Sequence, residues 1–359
     1  MTLQSGVLTK VIAPSSKAMQ RGILLALLLI SWSCAIAQAQ STTPILSGGL
    51  GFFSNTTGGV NTLQPVAAPV LVVPIGEHWL VESRADFREF IQRENGTTGP
   101  YVGTGFITLE YFQVDYIANS HLTVTAGRFL TPFNIFNERL SAIWINKFQD
   151  APLIAPIGIG TADSDGFMVR GNLISGKNYE INYTAYFSTF SSINKLESTR
   201  AAGGRGGVFF PAARLEIGAS YQRYLQNVHM NSEGAYVSWG PSRVPLNIKG
   251  EFAHSTSGQG YWVQATYRLS QFGGEDSAVG RLEPAFRMQQ FHRSRSNAED
   301  FVPNTSLQRP DFGLNYYFPY EIRLNGSYSR QFSPLGDANV WQAGITYRFL
   351  LPLRPGGGQ

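Results

Sequence analysis

The chain has 359 residues, of which 43% are hydrophobic, 13% aromatic and only 14% charged, with 38 glycines and a formal net charge of +4. Soluble domains carry roughly 25% charged residues, so this balance argues against an ordinary soluble or disordered chain. It points to β structure with many turns and a surface in contact with something other than water.

The N-terminus stands apart. "KAMQRGILLALLLISWSCAIAQAQ" (17–40) has a basic flank, Lys17 and Arg21, then an apolar run, Ile23 to Ile30. The small-residue sites Ala35-Ile36-Ala37 and Ala37-Gln38-Ala39 follow. This is the pattern of a secretory signal peptide, residues 1–39, with cleavage between 37 and 40. A short membrane anchor is the weaker reading, because the apolar run is brief. The removed piece holds Lys10, Lys17 and Arg21 and no acid, so the exported chain is close to neutral and carries no nucleic-acid signature. Cys34, the single cysteine, also leaves. Disulfides, thiol catalysis and cysteine-ligated metals are thereby excluded from the exported chain.

Beyond residue 40 there are no heptads and no apolar run of 18 residues. Period-2 alternation dominates. Taken in chain order it predicts strands at 44–53, 66–74, 78–90, 101–117, 121–130, 166–174, 178–190, 203–210, 212–223, 233–240, 244–254, 259–271, 280–293, 309–318, 320–332 and 339–349. That is about sixteen; fourteen to eighteen fit the same pattern. The first two are the weakest, and "PVLVVP" (69–74) also reads as a plug or linker. Alternation slips within 101–117 and around Arg128, where β-bulges are expected.

The lengths and spacing carry the architecture. Many stretches reach about 10 residues, beyond the usual strand of about 5–6 and close to the 9–11 that a tilted strand needs to cross a bilayer. Very short connections, such as "ANS" (118–120), "SGK" (175–177) and "FPY" (318–320), alternate with long polar ones, such as 91–100, 191–202 and 294–308, with "STSGQ" (255–259) and "FGGEDSAVG" (272–280) breaking the pattern. Apolar faces begin or end in aromatic residues: in "NVWQAGITYRF" (339–349), Trp341, Ala343, Ile345, Tyr347 and Phe349 share one face. The fold class expected is all-β, a transmembrane antiparallel β-barrel over residues 40–349 with a tail at 350–359. A soluble β-sandwich also alternates, but it would not combine Arg, Glu and Asp on the buried faces of so many strands. A barrel of about sixteen strands leaves an aqueous channel.

Strand parity then assigns a pore lining: Arg84, Asp86, Arg88, Arg128, Arg170, Arg214, Glu216, Lys249, Glu251, Arg268, Arg287, Arg323 and Arg348. Basic residues outnumber acidic ones, which suggests a mild anion preference. Pairing of opposite charges on adjacent strands would instead brace the wall and leave little selectivity. The longest connection, "TPFNIFNERLSAIWINKFQDAPLIAPIGIGTADSD" (131–165), is too apolar to project freely into water. It is expected to fold into the barrel or over its mouth and to set the constriction. Glu138, Arg139, Lys147 and Asp150 face the pore in this reading, as do Asp163 and Asp165; an outward lid is the alternative.

"AGRFLTPFNIFNERL" (126–140), followed by "WINK" and "APLIAP", resembles the strand-and-loop signature of bacterial outer-membrane porins related to the phosphate-selective porins. "GITYRF" (344–349) is similar to the closing strand by which the outer-membrane assembly machinery recognises barrels. The resemblance implies a homotrimeric passive channel in the bacterial outer membrane, in contact with lipid and lipopolysaccharide and passing small hydrophilic solutes or ions. It does not extend to a phosphate-binding ladder, because only Lys147, Lys177, Lys195 and Lys249 remain after cleavage.

Enzymatic readings are weak. The five histidines form no metal-spaced cluster, and no cofactor is expected. His254 with Ser255 or Ser257 is the best hydrolytic pairing available. "GGRGG" (203–207) lacks the Lys-Ser/Thr of a phosphate loop and reads as barrel curvature or a close approach by the long loop. The non-porin alternative is a structural or adhesive barrel with a closed pore.

Overall fold

The computed structural model describes residues 43–158, 163–190, 200–225, 229–295 and 302–353. The expected signal peptide, its cleavage site, and residues 354–359 of the expected tail lie outside the described residues.

Sixteen strands follow one another in the chain. The first four are β1 (Ile45–Thr57), β2 (Val60–Ile75), β3 (Trp79–Arg93) and β4 (Tyr101–Asn119). Next come β5 (Leu122–Leu130), β6 (Asp163–Ser175), β7 (Glu180–Phe190) and β8 (Ala201–Phe210). They are followed by β9 (Leu215–Tyr224), β10 (Asn231–Trp239), β11 (Leu246–Ser255) and β12 (Gly258–Tyr267). The last are β13 (Leu282–Arg293), β14 (Leu307–Tyr317), β15 (Ile322–Gln331) and β16 (Ala338–Pro352). Each pairs antiparallel with its sequence neighbours, and β16 pairs with β1, so the sheet closes into a barrel. One end of the barrel carries the long connections; the other carries mostly short turns and both ends of the described chain. They are called here the loop end and the turn end.

Alternation sorts the side chains as the sequence predicts. On β16, Trp341, Ile345 and Tyr347 point outward and are 59%, 43% and 41% exposed, whereas Gln342 and Thr346 point inward and are buried. Outward Trp79 and Tyr116 stack 4.8 Å apart at the turn end, and Tyr328 and Trp341 stack 4.5 Å apart at the loop end. Between these aromatic positions the outer face is apolar: Phe52, Leu324, Phe286 and Phe312 are all exposed there.

Several strand boundaries differ from those expected, three of them instructively. Residues 54–65, left between the first two expected strands, are strand except for the turn Gly58–Gly59, where both residues have positive φ (59° and 86°). Two such residues match the right-handed twist of a hairpin, and small polar residues on a water-facing wall carry no hydrophobic signal. The twelfth strand stops at Tyr267, and Leu269–Phe272 form a short 3-10 helix. The tail begins later than residue 350: Leu350, Leu351 and Pro352 pair with Ser47, Leu46 and Ile45. Pro352 is tolerated because it ends the strand, where a missing N–H costs no interior ladder bond.

The slip in 101–117 is a bulge. Arg84 faces Tyr111 and Ala85 faces Leu109, leaving Glu110 as the extra residue. It turns inward and pairs with Arg84. Around Arg128 no register shift occurs in the β5 ladders; Gly127 instead takes φ 117°.

Candidate functional site

The interior is organised by the connection between β5 and β6. From Asn134 to Leu153 this loop is bonded to strands on opposite sides of the barrel, which places it inside. Asn134, at φ 52°, donates its backbone N–H to Ser220 Oγ (2.9 Å) and its amide to the Phe252 carbonyl (3.1 Å). Its own carbonyl accepts from Arg205 (2.6 Å), in the glycine-rich stretch of β8. From "GGRGG" only Arg205 reaches the loop: a Cβ on its glycines would meet Tyr186, Tyr236 and neighbouring strands, whereas Gly234 of β10 is the glycine that adjoins Asn134.

The next turn is a π-helical segment, Phe136–Leu140. Its entry is held by Glu251 of β11, whose carboxylate accepts from the N–H of Ile135 (2.7 Å), the N–H of Phe136 (2.6 Å) and the indole of Trp262 (2.9 Å). Free N–H groups at a helical start favour a negative acceptor. Below lies an apolar cluster in which Phe133, Phe136, Ile154 and Ile157 of the loop pack on Ala253, Trp262, Phe291 and Val302.

The four charged loop residues all bind the wall. Glu138 pairs with Arg205 (2.6 Å) and lies 3.9 Å from Arg170. Arg139 pairs with Glu216 (2.7 Å), and Lys147 with Glu283 (3.0 Å) and the Tyr317 hydroxyl. Asp150 pairs with Arg309 (3.2 Å), and its carbonyl accepts from Arg287 (3.1 Å). Arg287 in turn binds Asp311 (2.7 Å) and lies over the Phe148 ring (4.6 Å). Arg323 donates to the Ile143 carbonyl (2.8 Å), and Arg84 to Ser141 (3.3 Å). Glycine makes room on two walls: a Cβ on Gly49 would lie 2.7 Å from the Trp144 ring, and one on Gly313 would lie 2.9 Å from Phe148.

The expected pore-lining residues therefore fall into groups. Arg84, Asp86, Arg88, Arg170, Glu216, Lys249 and Arg323 stand on the inner wall. Asp86 and Arg88 pair with each other at 2.9 Å. Arg268 and Arg348 stand at the turn end, with Arg268 stacked 4.1 Å over Tyr317. Glu251 and Arg287 are inward but buried under the loop.

Two of the pore-lining assignments need correcting. Arg128 lies on the outer face, between inward Gly127 and inward Phe129. It makes a bidentate pair with Asp165 (2.8 and 2.9 Å), approaches Asp163 (3.4 Å) and donates to the Leu109 carbonyl (3.3 Å). The reason is local: β4 pairs with β5 only from Phe112 onward, so the carbonyl of Leu109 has no β5 partner and a guanidinium serves it. Asp163 and Asp165 consequently belong to β6 and its outer face, not to the constriction. Arg214 is the other correction. It sits in the β8–β9 turn with φ 49°, exposed and off the wall. Sequence reasoning missed Ser220, Trp262, Gln289 and Phe291, which dock the loop; the only available signal was a Trp on the polar parity of β12.

What stays open lies on the opposite wall. A cavity of about 310 Å³ runs between loop residues 141–151 and strands β1, β2, β3 and β15. It shares Asn55, Gln64 and Phe90 with a cavity of about 520 Å³ at the loop end. It shares Arg323 with one of about 370 Å³ at the turn end. The three cavities follow one another along the barrel axis, each sharing lining residues with the next. Among the described residues no group of His, Cys, Asp and Glu is arranged to hold a metal. His254 and Ser255 are adjacent in β11 and point to opposite faces, outward and inward respectively.

No family model and no curated protein matches the chain. Solved structures do. Salmonella typhi OmpF, in complex with daunomycin, superposes with a TM-score of 0.60 at 13% identity, over 86% of this chain and 98% of that one. The anion-selective porin from Comamonas acidovorans gives 0.55 at 10% identity, over 86% and 99%. A loop L8 deletion mutant of OmpT, an outer membrane protein of Vibrio cholerae, gives 0.54 at 10% identity, over 86% and 99%. At these identities the likeness establishes a shared barrel fold.

Proposed function

We propose that this chain is a bacterial outer-membrane porin: a water-filled channel for passive diffusion of small hydrophilic solutes and ions. The observation that carries it is the pairing of an apolar outer face, bounded by aromatic residues at both ends, with a polar interior that holds cavities at its middle and at both ends. Soluble monomers rarely expose so much contiguous apolar surface, and a closed barrel leaves no unpaired backbone to hydrocarbon. The porins among the similar structures, and the resemblance of residues 126–140 to the phosphate-selective-porin-like group, support the same reading.

Finer parts of the proposal rest on the same ground. Residues 1–39 direct export, the chain assembles as a homotrimer in contact with lipopolysaccharide, and the closing strand engages the assembly machinery. A mild anion preference arises at the turn end, where Arg268, Arg323 and Arg348 share a cavity with Glu321. Most other basic residues are spent in ion pairs.

Conductance in planar bilayers tests the reading. A stable channel is expected, with a reversal potential on the anion side in a salt gradient. A protein that inserts but never conducts would support the closed, structural barrel instead. Deleting 134–160 should raise conductance; an unchanged value removes the loop's role as constriction.

A further inference from the structure

The charges inside this barrel are not spread evenly around the open space. The ion pairs that hold the loop gather on strands β8–β14. The middle and loop-end cavities lie against β1–β4, whose inner surface there is mostly carboxamides, threonine hydroxyls, valines and phenyl rings. Asn55 and Gln64 face the middle cavity from the barrel wall, and Gln149 from the loop. Phe90 and Phe106 meet edge to face, with centroids 5.4 Å apart, and line the loop-end cavity.

Two of the three charges that reach the middle cavity are held in ion pairs. Arg88 is held by Asp86 at 2.9 Å. Asp150 is held by Arg309 at 3.2 Å and approached by the Asn55 amide at 3.5 Å. The third, Arg323, is buried at the turn-end edge of that cavity and donates one hydrogen bond to a loop carbonyl, with its Nε and Nη1 left without a partner. The loop-end cavity has no charged residue in its lining. An ion entering it meets no fixed countercharge.

We infer that this open space binds neutral, hydroxyl-rich ring solutes of carbohydrate type in transit. Carboxamides both donate and accept hydrogen bonds, so they match hydroxyls of either orientation. The negative face of a phenyl ring suits the C–H face of a saturated ring. An apolar lining with a few convergent polar groups is the usual make-up of a small-molecule site. The inference rests on the channel reading and goes beyond it by naming a solute class.

The test uses the full-length exported protein in planar bilayers with potassium chloride. A neutral disaccharide is added, and polyethylene glycol of similar mass serves as the control for viscosity and size. The disaccharide should reduce the current saturably, with half-block in the range of about 1–100 mM, while the glycol produces only the unsaturated fall due to viscosity. Gln64→Ala and Phe90→Ala should each raise the half-blocking concentration by about fivefold, the loss of one hydrogen bond or ring contact. Heat-modifiable mobility on a gel should show both variants folded and inserted like the parent, so that a shifted half-block is not a folding effect. Open channels that respond identically to disaccharide and glycol overturn the inference and leave the channel reading intact. Absence of any channel overturns the channel reading, and this inference with it.

Discussion

Glu251, on the inner wall of β11, accepts a hydrogen bond from the backbone N–H of Phe136, 115 residues earlier in the chain, at 2.6 Å. The same carboxylate oxygen takes the N–H of Ile135, and its other oxygen takes the Trp262 indole. One side chain thereby fixes where the inward loop begins its helical turn. Glu251→Ala leaves those donors buried without an acceptor, at about 1–3 kcal/mol each. The strand ladders are untouched, so the barrel should still form, with larger and noisier single-channel currents. Glu251→Gln keeps an acceptor oxygen and should recover quiet channels. Quiet, unchanged currents in the alanine variant would show that the apolar cluster holds the loop without this carboxylate.

Gly49 lets Trp144 lie against β1. Gly49→Leu should push residues 141–151 off the wall, an overpacking cost of about 1–3 kcal/mol. Lys147 sits in that segment and is held by Glu283, so trypsin should cut after it faster in the variant. Equal cleavage rates in the two folded barrels would count against the contact.

Ion preference is expected to reside at the turn end. Arg268→Glu combined with Arg348→Glu should move the reversal potential toward cations at low ionic strength, where screening is weak. Arg128→Gln, on the outer face, should leave the potential where it was. A shift from Arg128→Gln would return that residue to the pore.

Phe312 is exposed near the middle of β14 on the outer face. Phe312→Arg should cost about 2–4 kcal/mol in a lipid bilayer, the penalty for an arginine at the midplane, read as a lower urea midpoint in liposomes. An unaltered midpoint would mean that this face does not meet hydrocarbon.

The last strand is paired through Pro352. Truncation after Pro352 should leave assembly intact. Truncation after Phe349 removes the partners of Ile45, Leu46 and Ser47 and should slow closure of the barrel. Phe349→Ser should impair insertion further if the terminal aromatic is the assembly signal. Heat-modifiable mobility of the folded form on a gel reports all three.

Strand number, parity and closure were legible in the sequence because one face of each strand must be apolar and the other polar, a period of two that needs no knowledge of the partner strand. The inward course of the long loop was legible from its apolar content. The pairing inside was not. Glu138 to Arg205, Asp150 to Arg309 and Glu251 to the loop backbone join residues 67 to 159 positions apart, and nothing local marks them. Arg128 shows the same limit from the other side. The sequence puts it in the pore, and the structure puts it on the outer face, where it serves a carbonyl left without a partner as β5 leaves β4. Alternation is set residue by residue, so the chain alone determined the wall. Which charges cancel and which space stays open depend on where the loop lands in the closed barrel, and only the tertiary structure decided that.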